Sequence, residues 1–281
     1  MTGQPMLVDG KYQGTVESDN RGLAYGDGVF ETILLHEGRP ILLAAHLRRL
    51  ALGCERLQLA PCIDEVREDI ARLEPRFPSR AVLKVIVCRG TGGRGYRPDP
   101  EVKPQRILSV IPLPQASTCA EEKGIVAFVC RHRLALQPAL AGIKHLNRLD
   151  QVLGSLEWPR DGNVLEGLML DREDMVVEGT RSNIFWVQNG EYHTPDLGYC
   201  GINGVLRQVL MERLNAGNIH VGRWPLARLQ EADEVFFCNS VFGVWPVLRL
   251  TGDEAEYDFT PGRGCSRARE IFSRILTDHG D

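Results

Sequence analysis

The chain has 281 residues, 43% of them hydrophobic and 25% charged, with a formal net charge of −4. This suffices for one large domain or two of ordinary size, with a core that needs no disulfide or metal staples. It lacks the basic excess of a nucleic-acid or anionic-membrane binder, and no apolar run reaches the length of a membrane span.

The eight cysteines form no C-x-x-C pair, and most sit in apolar runs, as Cys88 does after Val85-Ile86-Val87. Zinc-ribbon and thioredoxin-type sites are therefore not expected; buried free thiols in a reducing cytoplasm are. The first ten residues lack the basic and apolar segments of a signal peptide, so a cytoplasmic location is expected.

In chain order, Val8-Asp9-Gly10-Lys11 has the turn chemistry of a tight hairpin. The glycine-rich run from Arg21 to Gly28 reads as a hairpin loop, and Phe30 to Leu35 as a strand running into a Glu37-Gly38 turn. Leu43, Leu47, Leu50, Cys54 and Leu57 recur at steps of three and four and predict a helix over 43–59. Arg48 and Arg49 both fall off that stripe, and periodicity does not choose between them as an anion ligand. A second helix is expected over 63–73, stopped near Pro75 and Pro78.

Ala81 to Cys88 predicts a strand. The following Gly90-Thr91-Gly92-Gly93-Arg94-Gly95 satisfies G-x-G-x-x-G. A dinucleotide fingerprint must open a helix, however, and here Pro98, Pro100 and Pro104 follow, so the nucleotide-binding reading is rejected. A flexible active-site flap or a plain glycine-rich hairpin remains, and Arg94 has the donor fork to hold a carboxylate. After a strand over 107–113, residues 116–122 read as a linker between a smaller domain, 1–115, and a larger one, 123–281.

The second half is expected to start with a strand over 126–131. Taken alone, Lys144 in Gly142-Ile143-Lys144-His145-Leu146-Asn147-Arg148-Leu149 reads as a surface lysine. A helix is expected over 146–156. Residues 167–171 and 176–178 flank a hairpin turn, and Ile184 to Val187 is a strand. Glu178 reads either as a turn residue or as a carboxylate aimed into a cleft. Gly201-Ile202-Asn203-Gly204 precedes an amphipathic helix over 205–214. Such a helix start can hold a phosphate on its backbone N–H groups, although most hold nothing. A strand over 231–238 leads to Asn239-Ser240, and a closing helix is expected over 266–276. No internal repeat, H-x-x-x-H pair or G-x-S-x-G elbow is present, which argues against a zinc hydrolase and an α/β-hydrolase; no metal is expected.

In combination these stretches resemble the class IV (D-amino-acid and branched-chain) aminotransferase family, which uses pyridoxal 5′-phosphate (PLP). The resemblance covers nearly the whole chain. It rests on Gly26-Asp27-Gly28-Val29-Phe30-Glu31, His46-Leu47-Arg48-Arg49-Leu50, Lys144 in its setting, Glu178-Gly179 with Ser182-Asn183-Ile184-Phe185, Gly201-Ile202-Asn203-Gly204 with Arg207, and Pro246-Val247. It implies an α/β (α+β) fold of two domains, of the D-amino-acid aminotransferase-like type, with PLP between them, in a homodimer whose loops complete the partner's site. It further implies that Lys144 forms the internal Schiff base and that Glu178 pairs with the pyridine nitrogen. Arg49, the backbone N–H groups of Ile202 and Asn203, and the Ser240 hydroxyl would meet the phosphate.

Within the family, Arg89 to Tyr96, Ala141 to Leu149 and Cys238-Asn239-Ser240 are most similar to the lyase members, with Phe30, Arg94 and Tyr96 facing substrate. D-amino-acid transaminases carry a tyrosine where Phe30 stands and a histidine where Tyr96 stands. The implied reaction converts 4-amino-4-deoxychorismate to p-aminobenzoate and pyruvate in folate biosynthesis. D-amino-acid or branched-chain transamination is the alternative, and a PLP-binding protein without catalysis is weakened by the joint presence of Lys144, Glu178 and Arg49.

Overall fold

The computed structural model describes residues 5–12, 14–113, 123–158, 164–214, 219–253 and 256–278. The expected linker over 116–122 and Cys119 lie outside them. The chain divides into two compact units, Met1–Pro114 with Ile143–Asn147 and Gly280–Asp281, and Gln115–Gly142 with Arg148–His279. The short stretch Ile143–Asn147, which carries Lys144, belongs with the first unit.

The first unit is a five-stranded antiparallel sheet with helices. Its strands are β1 (Met6–Val8), β2 (Gly28–His36), β3 (Arg39–Pro40), β4 (Arg80–Cys88) and β5 (Gln105–Ile111), in the order β1-β5-β4-β2-β3. Asp9 and Gly10 both have positive φ, 49° and 75°, as the tight turn after β1 requires. The Glu37-Gly38 turn, at 51° and 75°, does the same between β2 and β3. The loop expected before β2 contains a short helix, α1 (Arg21–Tyr25), capped by the Asn20 side chain accepting from the Gly22 N–H. It was illegible because five residues are too few to show a period. Helices α2 (Leu43–Arg56) and α3 (Ile63–Leu73) carry the expected apolar stripes. Leu47, Leu50, Cys54, Val66, Ile70 and Leu73 pack with Val29, Ile33, Leu83 and Val85 of the sheet into one core.

The second unit is a mixed nine-stranded sheet with helices. Its strands are β6 (Ile125–Leu134), β7 (Val164–Asp171), β8 (Val176–Gly179), β9 (Asn183–Gln188), β10 (Glu191–Pro195), β11 (Ile219–Gly222), β12 (Glu234–Asn239), β13 (Gly243–Thr251) and β14 (Glu256–Asp258). The order is β11-β10-β9-β12-β13-β6-β7-β8, with β14 on β13. The expected hairpin is β7–β8. Helices α4 (Leu149–Ser155), α5 (Val205–Arg213) and α6 (Arg263–Thr277) complete the unit. Helix α4 starts three residues later than expected. The Leu146 N–H donates to the Gly28 carbonyl and the Asn147 side chain to the Gly26 carbonyl, so those residues are committed to the start of β2 rather than to a helix. The core gathers Ile184, Trp186, Val235, Phe237, Trp245 and Val247, all buried. Among the described residues, no helix is long and apolar enough to cross a membrane.

Candidate active site

In the first unit, Lys144 is held by its backbone. Its carbonyl accepts from the Phe30 N–H at 2.9 Å, and His145 bridges Val29. The Lys144 ammonium lies 4.4 Å from the centroid of the half-buried Phe30 ring. Lys144 is thus set beside an aromatic face, where a cation is attracted to the ring quadrupole.

Beside it on β2, Glu31 is buried in a run of apolar residues. Arg49 grips it with two bonds, Nε to Oε1 at 2.8 Å and Nη2 to Oε2 at 2.6 Å, and His46 Nδ1 sits 2.6 Å from Oε2. An ionised carboxylate only accepts, so His46 carries its proton on Nδ1. Burial pushes the Glu31 carboxyl up, but the charges and hydrogen bonds of Arg49 and His46 more than reverse this and hold it at about 2. His46 is pushed down by burial, a shift the Glu31 carboxylate opposes. The structure separates the two arginines that periodicity left together: Arg49 is buried and Arg48 is exposed.

The glycine-rich loop opens no helix; Arg94 bridges Arg97 across a turn at Gly95, whose φ is +59°. Arg94 is exposed, and Tyr96 is 87% exposed, its ring 5.5 Å from that of Tyr25.

In the second unit, Glu178 ends β8 and is buried. Gln151 Nε2 donates to its Oε1 at 3.1 Å, and the Ile202 N–H to its Oε2 at 2.8 Å. Arg148 adds a positive charge; burial pulls the Arg148 pKa down and Glu178 supports it. Glu178 is therefore a buried strand residue that accepts hydrogen bonds rather than a turn residue. The Gly201–Gly204 turn is fixed from three directions. Asn183 Nδ2 donates to the Ile202 carbonyl at 2.8 Å, the Asn203 N–H to the Gly142 carbonyl at 3.0 Å, and Arg207 Nη1 to Asn203 Oδ1 at 2.9 Å. Gly142, two residues before Lys144, returns a bond to the Gly201 carbonyl. Ser240 is buried just after β12.

In this structure the Ile202 N–H donates to the Glu178 carboxylate and the Asn203 N–H to the Gly142 carbonyl. The turn itself folds both amides back onto acceptors, of which Glu178 is buried.

Sequence reasoning assigned no role to Glu31, His46, Gln151 or Asn183. A charged residue alone in the apolar run Val29 to Leu35 was the available signal for Glu31, because a buried charge demands a partner. Asn183 stood in a stretch that carries the resemblance, but without a role, and nothing local pointed to Gln151.

Residues 28–250 match the family described as amino-transferase class IV. The chain belongs to this family. Class IV relatives match along most of its length. A 4-amino-4-deoxychorismate lyase of known structure from Pseudomonas aeruginosa is 42% identical, covers 98% of this chain and 99% of its own, and superposes with a TM-score of 0.88. An aminodeoxychorismate lyase from Vibrio harveyi is 34% identical over 91% of this chain and 95% of its own. A putative branched-chain-amino-acid aminotransferase from Methanocaldococcus jannaschii is 33% identical over 93% of this chain and 91% of its own. The class IV fold expected from sequence is the fold observed.

Proposed function

We propose that this class IV protein is an aminodeoxychorismate lyase that converts 4-amino-4-deoxychorismate to p-aminobenzoate and pyruvate with PLP as cofactor, a step of folate synthesis. The observation that carries this reading is the 42% identity to the Pseudomonas aeruginosa lyase over 98% of the chain. Amino transfer to a 2-oxo acid is the second reading, supported by the 33% identity to the putative branched-chain aminotransferase.

The side chains present fit a phosphorylated pyridine aldehyde. Lys144 is a primary amine against an aromatic face, Glu178 a buried carboxylate already accepting hydrogen bonds, Arg49 a buried guanidinium, and Ser240 a buried hydroxyl. When bound, PLP supplies an electron sink that stabilises negative charge at the substrate carbon bearing nitrogen. Lys144 would hold the cofactor, and its amine is the group placed to take the proton from that carbon. Glu178 would keep a proton on the pyridine nitrogen, because an adjacent negative charge favours the protonated ring. Arg49 and Ser240 would bind the phosphate, and Ile202 and Asn203 would join them by exchanging their present acceptors. Phe30 borders the reacting centre, and Arg94 and Tyr96 orient the substrate carboxylate. In the substrate, the carbon–oxygen bond to the enolpyruvyl group breaks, its electron pair leaves with the oxygen, the fragment takes up a proton to become pyruvate, and the ring becomes aromatic.

The reading includes a homodimer in the cytoplasm. Helix α4 and the residue after it expose Leu149, Val152, Leu153 and Leu156, at 74%, 48%, 49% and 63%. That is one apolar stripe at helical spacing, which a second copy would cover. The buried free thiols suit a reducing compartment.

The test is an absorption spectrum of the purified protein before and after borohydride, followed by addition of aminodeoxychorismate. The expected result is a cofactor band fixed by borohydride to the peptide containing Lys144, with p-aminobenzoate and pyruvate formed together and without an acceptor acid. The same band with amino transfer and no p-aminobenzoate would move the chain to the second reading. No band after PLP is supplied would remove Lys144 from the argument.

A further inference from the structure

Arg21 is a buried arginine to which neither the family resemblance nor the proposed reaction gives a role. It lies in α1, far in sequence from the glycine-rich loop, yet three of its side-chain nitrogens are engaged. Nε donates to Asp27 Oδ2 at 3.0 Å, Nη1 to the Gly95 carbonyl at 2.8 Å, and Nη2 to the Tyr96 carbonyl at 2.8 Å. Its backbone N–H also donates to the Gly90 carbonyl at 2.8 Å. The first residue of the loop and its tip are thus fastened to one side chain and its own backbone. The Arg21 guanidinium carbon lies 4.9 Å from the centroid of the Tyr25 ring, whose centroid is 5.5 Å from that of Tyr96.

Asp27 makes the fork rigid. Its carboxylate is shared with Arg89, whose Nε donates to Oδ2 at 2.8 Å and Nη2 to Oδ1 at 3.1 Å. Arg89 is anchored in turn to the Leu57 and Gln58 carbonyls at the end of α2, at 2.6 and 3.0 Å. Apart from Arg21, Thr91 Oγ1 donates to Asp19 at 3.3 Å and Arg94 bridges Arg97. Gly90, Gly92, Gly93 and Gly95 all have positive φ, at 82°, 139°, 82° and 59°, and the tip residues are exposed. Such a glycine-rich tip loses much conformational entropy when ordered. Two charge-assisted bonds onto consecutive carbonyls fix the Tyr96 peptide in position and orientation, which the point charge of a lysine does not reproduce.

We propose that Arg21 is a positioning residue for specificity: oriented by Asp27, it latches the Gly90–Arg97 loop and so sets where Arg94 and Tyr96 meet the substrate. The substrate half of this statement rests on the function proposed above; the latch does not.

The test compares wild type with Arg21→Lys and, as a contrast, Arg89→Lys, all loaded with PLP. Arg89 shares Asp27 but touches no loop carbonyl. Amide exchange across residues 90–97 and tryptic cleavage after Arg94 report on the latch; KM and kcat for aminodeoxychorismate report on its use. In Arg21→Lys, loop exchange and cleavage are expected to rise about tenfold or more while the remaining amides keep their rates. KM is expected to rise about tenfold with kcat within about twofold, the signature of lost ground-state binding. Arg89→Lys is expected to lower the melting temperature and leave the loop protected. Unchanged loop exchange in Arg21→Lys, or exchange raised throughout the first unit, overturns the latch. Faster loop exchange with KM unmoved overturns the specificity role and traces the failure to the assignment of Arg94 and Tyr96. Arg89→Lys freeing the loop as far as Arg21→Lys overturns the assignment to Arg21.

Discussion

Arg49 closes on Glu31 through two hydrogen bonds, 2.8 Å to one carboxylate oxygen and 2.6 Å to the other. The pair ties α2 to β2 inside the first core, and His46 shares the second oxygen. Replacing Glu31 by Gln leaves a buried guanidinium against a neutral amide, the costly way to break a buried ion pair. Glu31→Gln is expected to destabilise the protein by about 3–5 kcal/mol in urea unfolding at neutral pH. PLP affinity is expected to fall as well, because Arg49 loses its orientation.

The same carboxylate gives a pH signature. Its folded pKa is about 2 against an ordinary 4.5. A depressed folded pKa means that Glu31 stabilises fully above the unfolded value, and that this contribution is lost as pH falls through the folded one, a total of about 3 kcal/mol. The stability difference between wild type and Glu31→Gln is therefore expected to shrink steadily as pH falls from 4.5 to about 2. A difference that stays constant across that window would show that Glu31 is not ionised in the folded protein.

Glu178 is held by an amide on each side, Gln151 at 3.1 Å and the Ile202 N–H at 2.8 Å. A glutamine at 178 can keep hydrogen bonds but carries no negative charge to hold a proton on a pyridine nitrogen. Glu178→Gln is expected to lower kcat/KM by about a hundredfold or more while the cofactor can still be fixed to Lys144 by borohydride. Gln151→Leu keeps the charge and removes one bond, so its loss is expected to be about tenfold. Equal losses in the two variants would contradict the division of labour between charge and orientation.

Gly204 caps α5 with φ −62° and ψ 142°, a backbone any residue adopts. Its importance is steric: a Cβ there would strike the Asn183 side-chain oxygen, and Asn183 holds the Ile202 carbonyl. Gly204→Ala is expected to cost about 1–3 kcal/mol by overpacking and to weaken PLP binding. Asn183→Ala should cost less in the Gly204→Ala background than alone, since the clash then disappears. Additive costs would show that the Gly204–Asn183 contact is not what excludes a side chain.

The helices of the first unit were legible because their apolar residues recur at helical spacing, as Leu43, Leu47 and Leu50 do. The same periodicity could not tell Arg48 from Arg49, since one residue of rotation matters only once Glu31 lies across from it. Strands β10 and β13 went unread. Glu191–Pro195 has no apolar alternation, and Gly243–Thr251 contains Pro246, yet both find partners in the sheet. The assignment of Lys144 to the cofactor came only from motifs spread over the chain. What fixes it locally, the pairing of Phe30 with the Lys144 carbonyl, joins residues more than a hundred positions apart. Ile202 and Asn203 were read correctly as a helix start, but the destination of their N–H groups depends on Glu178 and Gly142, which no local pattern encodes.

The exposed stripe of Leu149, Val152, Leu153 and Leu156 gives the homodimer a direct test. A charge placed on a face covered by a second copy costs desolvation in the dimer and nothing in the free chain. Leu153→Asp with Leu156→Asp is therefore expected to give a monomer by light scattering or sedimentation, with the far-ultraviolet circular dichroism retained. If loops complete the partner's site, two inactive variants should also rescue each other. Lys144→Ala has an intact loop and no carrier lysine, and Arg94→Ala has the reverse. Random reassortment of equal amounts in a twofold dimer makes half the dimers mixed, each with one complete site, so activity should return to about a quarter of wild type. Recovery near that level would place Arg94 in its partner's site. Complete absence of recovery, with mixed dimers present, would place it in its own.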